Sequence, residues 1–171
     1  MTRLFGVIGY PIGPSLSPAM HTAALRALGL DALYTSVEVP PRFLRPMLHA
    51  LILSGVEGLN VTVPLKERVL PLLDRLDASA RATGAVNTIV IRNRRSIGYN
   101  TDGAGFARAL GELGWRPRAD RQAVVLGAGG AARAVAWELA RHGIGCVAIA
   151  NRHPARAKHL AAWLSKRQPR V

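Results

Sequence analysis

Residues 60–67 read NVTVPLKE, a β-branched run closed by Pro64 and followed two residues later by Lys66. Lysine is scarce in this chain, occurring only at positions 66, 158 and 166, while arginine supplies nearly all other positive charge. The distinction is chemical: a tuned ammonium can both stabilise negative charge growing on an oxygen and release a proton, whereas a guanidinium stays protonated. An ordinary surface lysine paired with Glu67 is the competing reading of the same residues. A second stretch, QAVVLGAGGAARAVAW, sets Gly127, Gly129 and Ala132 in a G-x-G-x-x-A pattern, directly after an apolar strand and at the start of a helix. Glycines there permit a tight turn and let a pyrophosphate approach backbone N–H groups at the positive end of the helix. A glycine-rich turn that holds no ligand is the plainer alternative. Asn151, Arg152 and Arg156 follow the next strand, Asn151 lying 24 residues beyond Gly127, where a dinucleotide domain selects its ribose. Donors and positive charge at that place suit a 2′-phosphate and favour NADP over NAD, against a reading as plain surface arginines.

Positioning such groups needs a core, and 171 residues at 49% hydrophobic content can bury one within one or two domains. The apolar runs are broken by glycine and arginine before they reach membrane-spanning length. The amino terminus turns strand-like at once, with no cleavable apolar segment, so a cytoplasmic address and no membrane partner are expected. The net charge of +13 is uneven: all ten carboxylates precede residue 139, and seven basic residues follow it without an acid. The basic stretch ARAKHLAAWLSKRQPRV reads as a solvated helix; without aromatic interleaving it does not predict nucleic acid. Cys146, in IGCVAIA, is expected to be a buried, inert thiol, and no metal site is predicted.

The elements follow from periodicity and punctuation. RLFGVIG reads as a strand, and SLSPAMHTAALRALGL as a helix with Ser17 placed to cap it, Pro18 in its first turn and Gly29 at its end. LYTSVEV alternates like a strand, RFLRPMLHALILSG has helical spacing, and GLNVTV is a third strand bounded by Pro64. LKERVLPLLDRL and DASARATG read as short helices, NTIVIRN and SIGYN as a hairpin around RRS, and DGAGFARALGELG as a helix that closes a first unit near Trp115. After the charged linker WRPRADR, a strand, glycine turn, helix and strand open a second unit.

Together GYPIGPSLSPAMH, NVTVPLK, GAVNT, NTDGAGF, LGAGGAARA and NRHPAR stand in the order found in shikimate dehydrogenases, and the chain resembles that family over nearly its whole length. The resemblance implies an α/β chain. Its N-terminal substrate domain, 1–115, would have a mainly parallel sheet and bind shikimate or 3-dehydroshikimate. A Rossmann-like NADP-binding domain, 116–171, would follow in incomplete form. The implied activity is the reversible NADPH-dependent reduction of 3-dehydroshikimate to shikimate in chorismate and aromatic amino-acid biosynthesis. Carried over by position, Ser15 and Ser17 hold the substrate carboxylate, and Thr62, Asn87 and Asp102 meet the ring hydroxyls. Lys66 and Asp102 are the catalytic pair; Gly127, Ala128, Gly129, Gly130 and Ala131 form the phosphate loop, with Asn151, Arg152 and Arg156 as the NADP clamp. A carbonyl under reduction gains alkoxide character, which explains a lysine rather than an arginine after Pro64.

The match departs at His153, where the family usually has threonine, and at Thr22, where asparagine is usual. The family also continues well beyond Val171 with the rest of the dinucleotide sheet. The strand QAVVLG is therefore expected to be an exposed apolar edge that invites self-association. Three alternatives stand beside the enzyme: a catalytically incomplete remnant that binds shikimate or nucleotide, a quinate/shikimate dehydrogenase, and a basic nucleic-acid binder. An acidic residue after the second strand would favour the quinate enzyme, and Asn151-Arg152 points away from it.

Overall fold

A computed structural model describes residues 2–13 and 15–168. The chain divides into two compact units, one holding Met1–Arg81 and Val86–Tyr99, the other Ala82–Ala85 and Asn100–Val171. The division thus falls at Asn100, ahead of the charged linker that follows Trp115.

The first unit contains β1 (Arg3–Gly9), α1 (Ser17–Ala27), β2 (Ala32–Glu38), α2 (Leu44–Leu53), β3 (Val56–Val61), β4 (Arg75–Leu76), β5 (Thr88–Arg92) and β6 (Arg95–Tyr99). Between β4 and β5, α3 (Ala78–Thr83) carries the chain into the second unit and back. The strands form one sheet in the order β2-β1-β3-β5-β6-β4. β1 runs parallel to β2 and β3, and β4 to β6, while β5 is antiparallel to both its neighbours. Alternation along the strands sorts the two faces. Ile8, Leu59, Val61, Ile89 and Ile91 are buried in a core with Val39, with Leu44 and Leu48 of α2, and with Leu65 and Val69 beyond β3. The register places Tyr34 beside Phe5, Val7 beside Asn60, and Asn60 beside Thr88, so these residues share the opposite face.

Three local expectations need correction. Ser17 does not cap α1: the helix starts at Ser17, and the hydroxyl that meets its backbone is Ser15 Oγ, which accepts from Ser17 N–H at 3.3 Å. LKERVLPLLDRL is not a helix but turns, a 3-10 segment at Leu70–Leu72 and the strand β4. Pro71 sits within the 3-10 segment, and the sheet captures the residues after it, because Ser96 gives its N–H and its hydroxyl to Asp74 Oδ2, each at 2.8 Å. These bonds and the adjacent Arg95 hold the Asp74 carboxyl well below the usual carboxylate range. The β5–β6 turn lies at Asn93-Arg94, both with positive φ (51° and 58°), the backbone of a two-residue hairpin.

The second unit contains α4 (Asp102–Glu112), β7 (Gln122–Leu126), α5 (Gly130–Arg141), β8 (Cys146–Ala150) and α6 (Pro154–Ser165). Among the described residues its sheet has two parallel strands, β7 and β8. Val125, Ala136, Leu139, Ile144 and Leu164 are buried together, with Phe106, Leu110 and Trp115 packed against them. Val124 and Leu126 point the other way and are 67% and 82% exposed. Cys146 is also exposed, contrary to expectation, because it begins β8 on that uncovered face, where exposure alternates with Val147 and Ile149. The basic stretch forms α6, and its last residues, 169–171, lie outside the described ones. The Arg133 and Arg167 guanidinium carbons lie 4.4 Å and 4.9 Å from the Trp163 ring centroid. Among the described residues no helix is long and apolar enough to cross a membrane, and no cluster could hold a metal ion.

Among the described residues of this unit Glu138 is the buried charge, receiving Arg141 at 2.8 Å and 2.9 Å and His142 at 3.1 Å. The Arg141 hydrogen bond is the main reason its carboxyl sits below the ordinary value. Its partners are half exposed, so Glu138→Gln should cost only roughly 1–2 kcal/mol at pH 7. The ionised carboxylate contributes above the ordinary carboxyl pKa of about 4, and that contribution is lost as pH falls through the lower folded value. Thermal unfolding across pH should therefore show the gap between variant and parent closing under acid.

Candidate functional site

Hydrogen bonds that continue the sheet past its strand ends assemble the polar residues of the first unit. Beyond β3, Thr62 N–H donates to Ile8 O at 2.9 Å, and Leu65 N–H returns to Thr62 O at 2.9 Å to start the turn that carries Lys66. Leu65 and Val69, both fully buried, anchor this turn on either side of half-buried Lys66. Val86 N–H donates to Lys66 O at 2.8 Å, and Val61 N–H to Asn87 O at 2.8 Å. Thr62, Lys66 and Asn87 are thereby brought to one end of the sheet. The loop with Ser15 and Ser17 leaves β1 at the same end, since Tyr10 N–H donates to Val63 O at 3.0 Å. Ligands of open α/β sheets collect at such carboxyl ends of parallel strands. Short hydroxyls, an amide and one ammonium can between them hold a carboxylate, hydroxyls and a carbonyl.

A polar network that sequence reading overlooked supports this end of the sheet. Tyr34 Oη donates to Asn60 Oδ1 at 2.6 Å, and the Tyr34 ring stacks on His21 of α1 with centroids 4.3 Å apart. Burial pushes the Tyr34 hydroxyl up to about 12. Asn60 Nδ2 donates at 3.4 Å to both Asn87 O and Thr88 Oγ1, and Thr88 Oγ1 donates to Asn87 Oδ1 at 3.0 Å. Strand alternation in LYTSVEV and GLNVTV was a usable signal for these faces. The register that lets Tyr34 reach Asn60 is set by β1 between them.

Asp102 belongs to the second unit, at the first turn of α4. Its N–H donates to Asn100 Oδ1 at 3.1 Å, and buried Asn100 is fixed by a 2.9 Å bond from Nδ2 to Ala85 O. A carboxylate in a first helical turn is favoured by the positive helix end.

The glycine loop joins β7 to α5. Gly127 N–H donates to Ala150 O at 2.7 Å with φ at 121°, a conformation open to glycine and strained for other residues. Gly129 occupies the helix cap position without a side-chain cap, followed by Gly130, Ala131 and Ala132 in the first turn. These uncapped N–H groups at the positive end of α5 suit a phosphate. Asn151 Nδ2 donates to His153 O at 3.0 Å and so braces the turn before α6; Arg152 in that turn and Arg156 in the first turn of α6 are both exposed. The donor set fits a phosphorylated dinucleotide: glycine backbone for the bridging phosphates, guanidinium groups for a further one.

A sheet with its polar groups at the carboxyl ends of parallel strands, joined to a strand, glycine turn and helix, is the architecture of two-domain, nucleotide-binding α/β proteins. The shikimate dehydrogenase substrate binding domain model matches residues 7–89, and the shikimate / quinate 5-dehydrogenase model matches residues 112–170. Shikimate dehydrogenase (NADP(+)) of Symbiobacterium thermophilum is 50% identical over 164 residues, covering 96% of this chain and 55% of that protein. A crystal structure of a shikimate dehydrogenase in complex with NADP+ aligns with a TM-score of 0.90 at 41% identity, over 99% of this chain and 58% of the other. Shikimate 5-dehydrogenase from Thermus thermophilus, solved with NADP(H) and shikimate, aligns at 0.85 and 42% identity over 96% and 61%. This chain belongs to the shikimate dehydrogenase family and spans little more than half the length of the relatives it matches.

The loop geometry gives a direct test. Gly127→Ala forces a side chain into the φ 121° conformation. It should destabilise the chain by about 1–3 kcal/mol in denaturant unfolding, and weaken nucleotide binding in calorimetry beyond that loss.

Proposed function

We propose that the chain provides the substrate site and the first cofactor-binding elements of a shikimate dehydrogenase, which reduces 3-dehydroshikimate reversibly to shikimate with NADPH in aromatic amino-acid biosynthesis. The supporting observation is the gathering of Thr62, Lys66 and Asn87 at one sheet end by backbone hydrogen bonds, from Thr62 N–H to Ile8 O, from Val86 N–H to Lys66 O and from Val61 N–H to Asn87 O. In this reading residues 1–115 supply the substrate part and 116–171 the dinucleotide part, with a cytoplasmic address. Ser15 and Ser17 hold the substrate carboxylate through hydroxyl and backbone donors. Thr62, Asn87 and Asp102 bind the ring hydroxyls, which need both donors and acceptors. Lys66 stabilises the carbonyl oxygen as it gains charge and gives it a proton, and the Asp102 carboxylate balances the ammonium. NADPH, when bound, supplies the hydride. Gly127, Ala128, Gly129, Gly130 and Ala131 receive its pyrophosphate, and Asn151, Arg152 and Arg156 its 2′-phosphate.

The test is absorbance at the NADPH band during shikimate oxidation by the 171-residue chain. Lys66→Ala should lower turnover about 10²–10⁴-fold. Lys66→Arg should fail equally, because it keeps charge without a transferable proton. Turnover that survives Lys66→Arg would remove the lysine from the proton step. Arg152→Ala with Arg156→Ala should weaken NADP about tenfold or more while hardly changing NAD.

A second reading, a chain that binds shikimate or nucleotide without turnover, is favoured by the two-stranded sheet and its exposed Val124 and Leu126. Binding without oxidation would select it. The same surface supports self-association by strand pairing along β7. Sedimentation should show assembly that depends on concentration and that Leu126→Lys abolishes; a monomer at all concentrations would refute the association.

A further inference from the structure

Segment 82–85 groups with the second unit, although the chain enters it from the first unit and returns there at Val86. Two side chains of the second unit meet it. Asn100 Nδ2 donates to Ala85 O at 2.9 Å while Asn100 Oδ1 accepts the Asp102 N–H at 3.1 Å, so one amide ties the segment to the turn that carries Asp102. The other side chain is Arg133, half-buried in the first turn of α5. A Cβ built on Gly84 would stand 3.1 Å from Arg133 Nη1 and 3.7 Å from its Cδ, so the arginine lies along the bare Gly84 backbone. Gly84 is also left-handed, with φ at 63°, which suits glycine. The Arg133 guanidinium carbon is 4.4 Å from the Trp163 ring centroid on α6, where the indole face attracts a cation. Arg133 N–H donates to Gly129 O at 2.9 Å, closing the first helical turn on the glycine loop itself. One residue therefore touches, within a single unit, the loop, segment 82–85 and α6.

We propose that Arg133 is a positioning residue that links the glycine loop to segment 82–85, so that a nucleotide held on the loop orders the segment leading to Asn87. The inference rests on the proposed function, in which the loop receives a pyrophosphate and Asn87 a ring hydroxyl. Asn87 follows Gly84 by three residues, and Val86 between them gives its N–H to Lys66 O at 2.8 Å. The chain itself thus carries any ordering of Gly84 on to these residues. A phosphate on the uncapped N–H groups of α5 orders the turn from which Arg133 projects. The long arginine stem loses its rotamer freedom once, when it is pinned against Trp163 and Gly84. Whichever ligand brings that about, the other binds to an arginine already ordered, and the two affinities rise together. Lysine is a poor substitute, since the planar guanidinium is what stacks on the indole. Gly84 is matched to the arginine, because a side chain there strains the backbone and displaces the guanidinium.

The experiment uses the full 171-residue chain with Arg133→Leu and Gly84→Ala, so that loss of fold in one leaves the other to decide. Amide NMR follows Gly129, Gly130 and residue 84 as NADP+ is added, and calorimetry measures shikimate affinity with and without saturating NADP+. In the parent the Gly84 resonance should move together with the loop resonances, and NADP+ should tighten shikimate at least about fivefold. In Arg133→Leu the loop should still respond while Gly84 stays still, and the gain should fall below about twofold; Gly84→Ala should cut the gain likewise. Gly84 following the loop equally in Arg133→Leu, or not at all in the parent, would overturn the proposal. So would a loop that no longer responds in Arg133→Leu, which would make the arginine a ligand contact. If shikimate does not bind, the substrate reading falls and the NMR responses decide. If the parent's loop ignores NADP+, the cofactor reading falls and the link is tested without ligand. Gly84→Ala should then move the Trp163 indole N–H and Gly130 amide resonances in the parent and leave them in place in an Arg133→Leu background. Resonances unmoved in the parent, or moved equally in both backgrounds, would refute the link.

Discussion

The β1–β3 hydrogen-bond ladder runs past the ends of both strands, through Thr62 N–H to Ile8 O at 2.9 Å and Tyr10 N–H to Val63 O at 3.0 Å. A buried backbone donor left unpaired costs about 1–3 kcal/mol, so these continuations hold the two following loops against the sheet. Each loop carries part of the site. Gly9 makes the approach possible, because a Cβ there would collide with the Thr62 and Ile12 side chains. Val61 N–H then ties the Asn87 segment to the same place, and Val86 N–H ties that segment to Lys66. The polar side chains are consequently carried on segments that main-chain bonds of the sheet itself hold in place.

Charge is handled differently in the two units. In the first, Asp74 gathers the Ser96 backbone, the Ser96 hydroxyl and Arg95, and so fastens the short β4 edge to the hairpin. In the second, with its surplus of arginine, one buried carboxylate serves Arg141 and His142, and the Trp163 indole takes Arg133 and Arg167 over its ring. Aromatic faces and aliphatic stems can accommodate guanidinium groups where carboxylates are few, which fits a chain whose carboxylates all precede residue 139.

The alternating order of strands and helices was legible because periodicity and Gly or Pro boundaries agreed along RLFGVIG, LYTSVEV and QAVVLGAGG. Reading failed where a distant partner decided the outcome. LKERVLPLLDRL has helical spacing, yet Asp74 is captured by Ser96 from another strand. Cys146 sits in an apolar run, but half of a strand's residues face outward, and only the layering of the sheet tells which half. Ser17 has the right type and place for a cap, yet it is the first residue of the helix and Leu16, which has no capping side chain, stands in the cap position. Among the site residues, Lys66 stood out by its rarity and Gly127 by its pattern. The polar network from Tyr34 to Thr88 had no local signature, because it is built from cross-strand register rather than from spacing.

Because Cys146 is the chain's single cysteine and lies exposed at the start of β8, it marks the outer face of the small sheet with one chemical handle. On that face its neighbour across the ladder is Gln122, in line with Val124 and Leu126 along β7. A fluorophore or spin label attached at this sulfur would sit beside the apolar stripe, at the end of the two strands away from the glycine loop. Its accessibility to quenchers would report, in real time, whether anything comes to rest on the stripe.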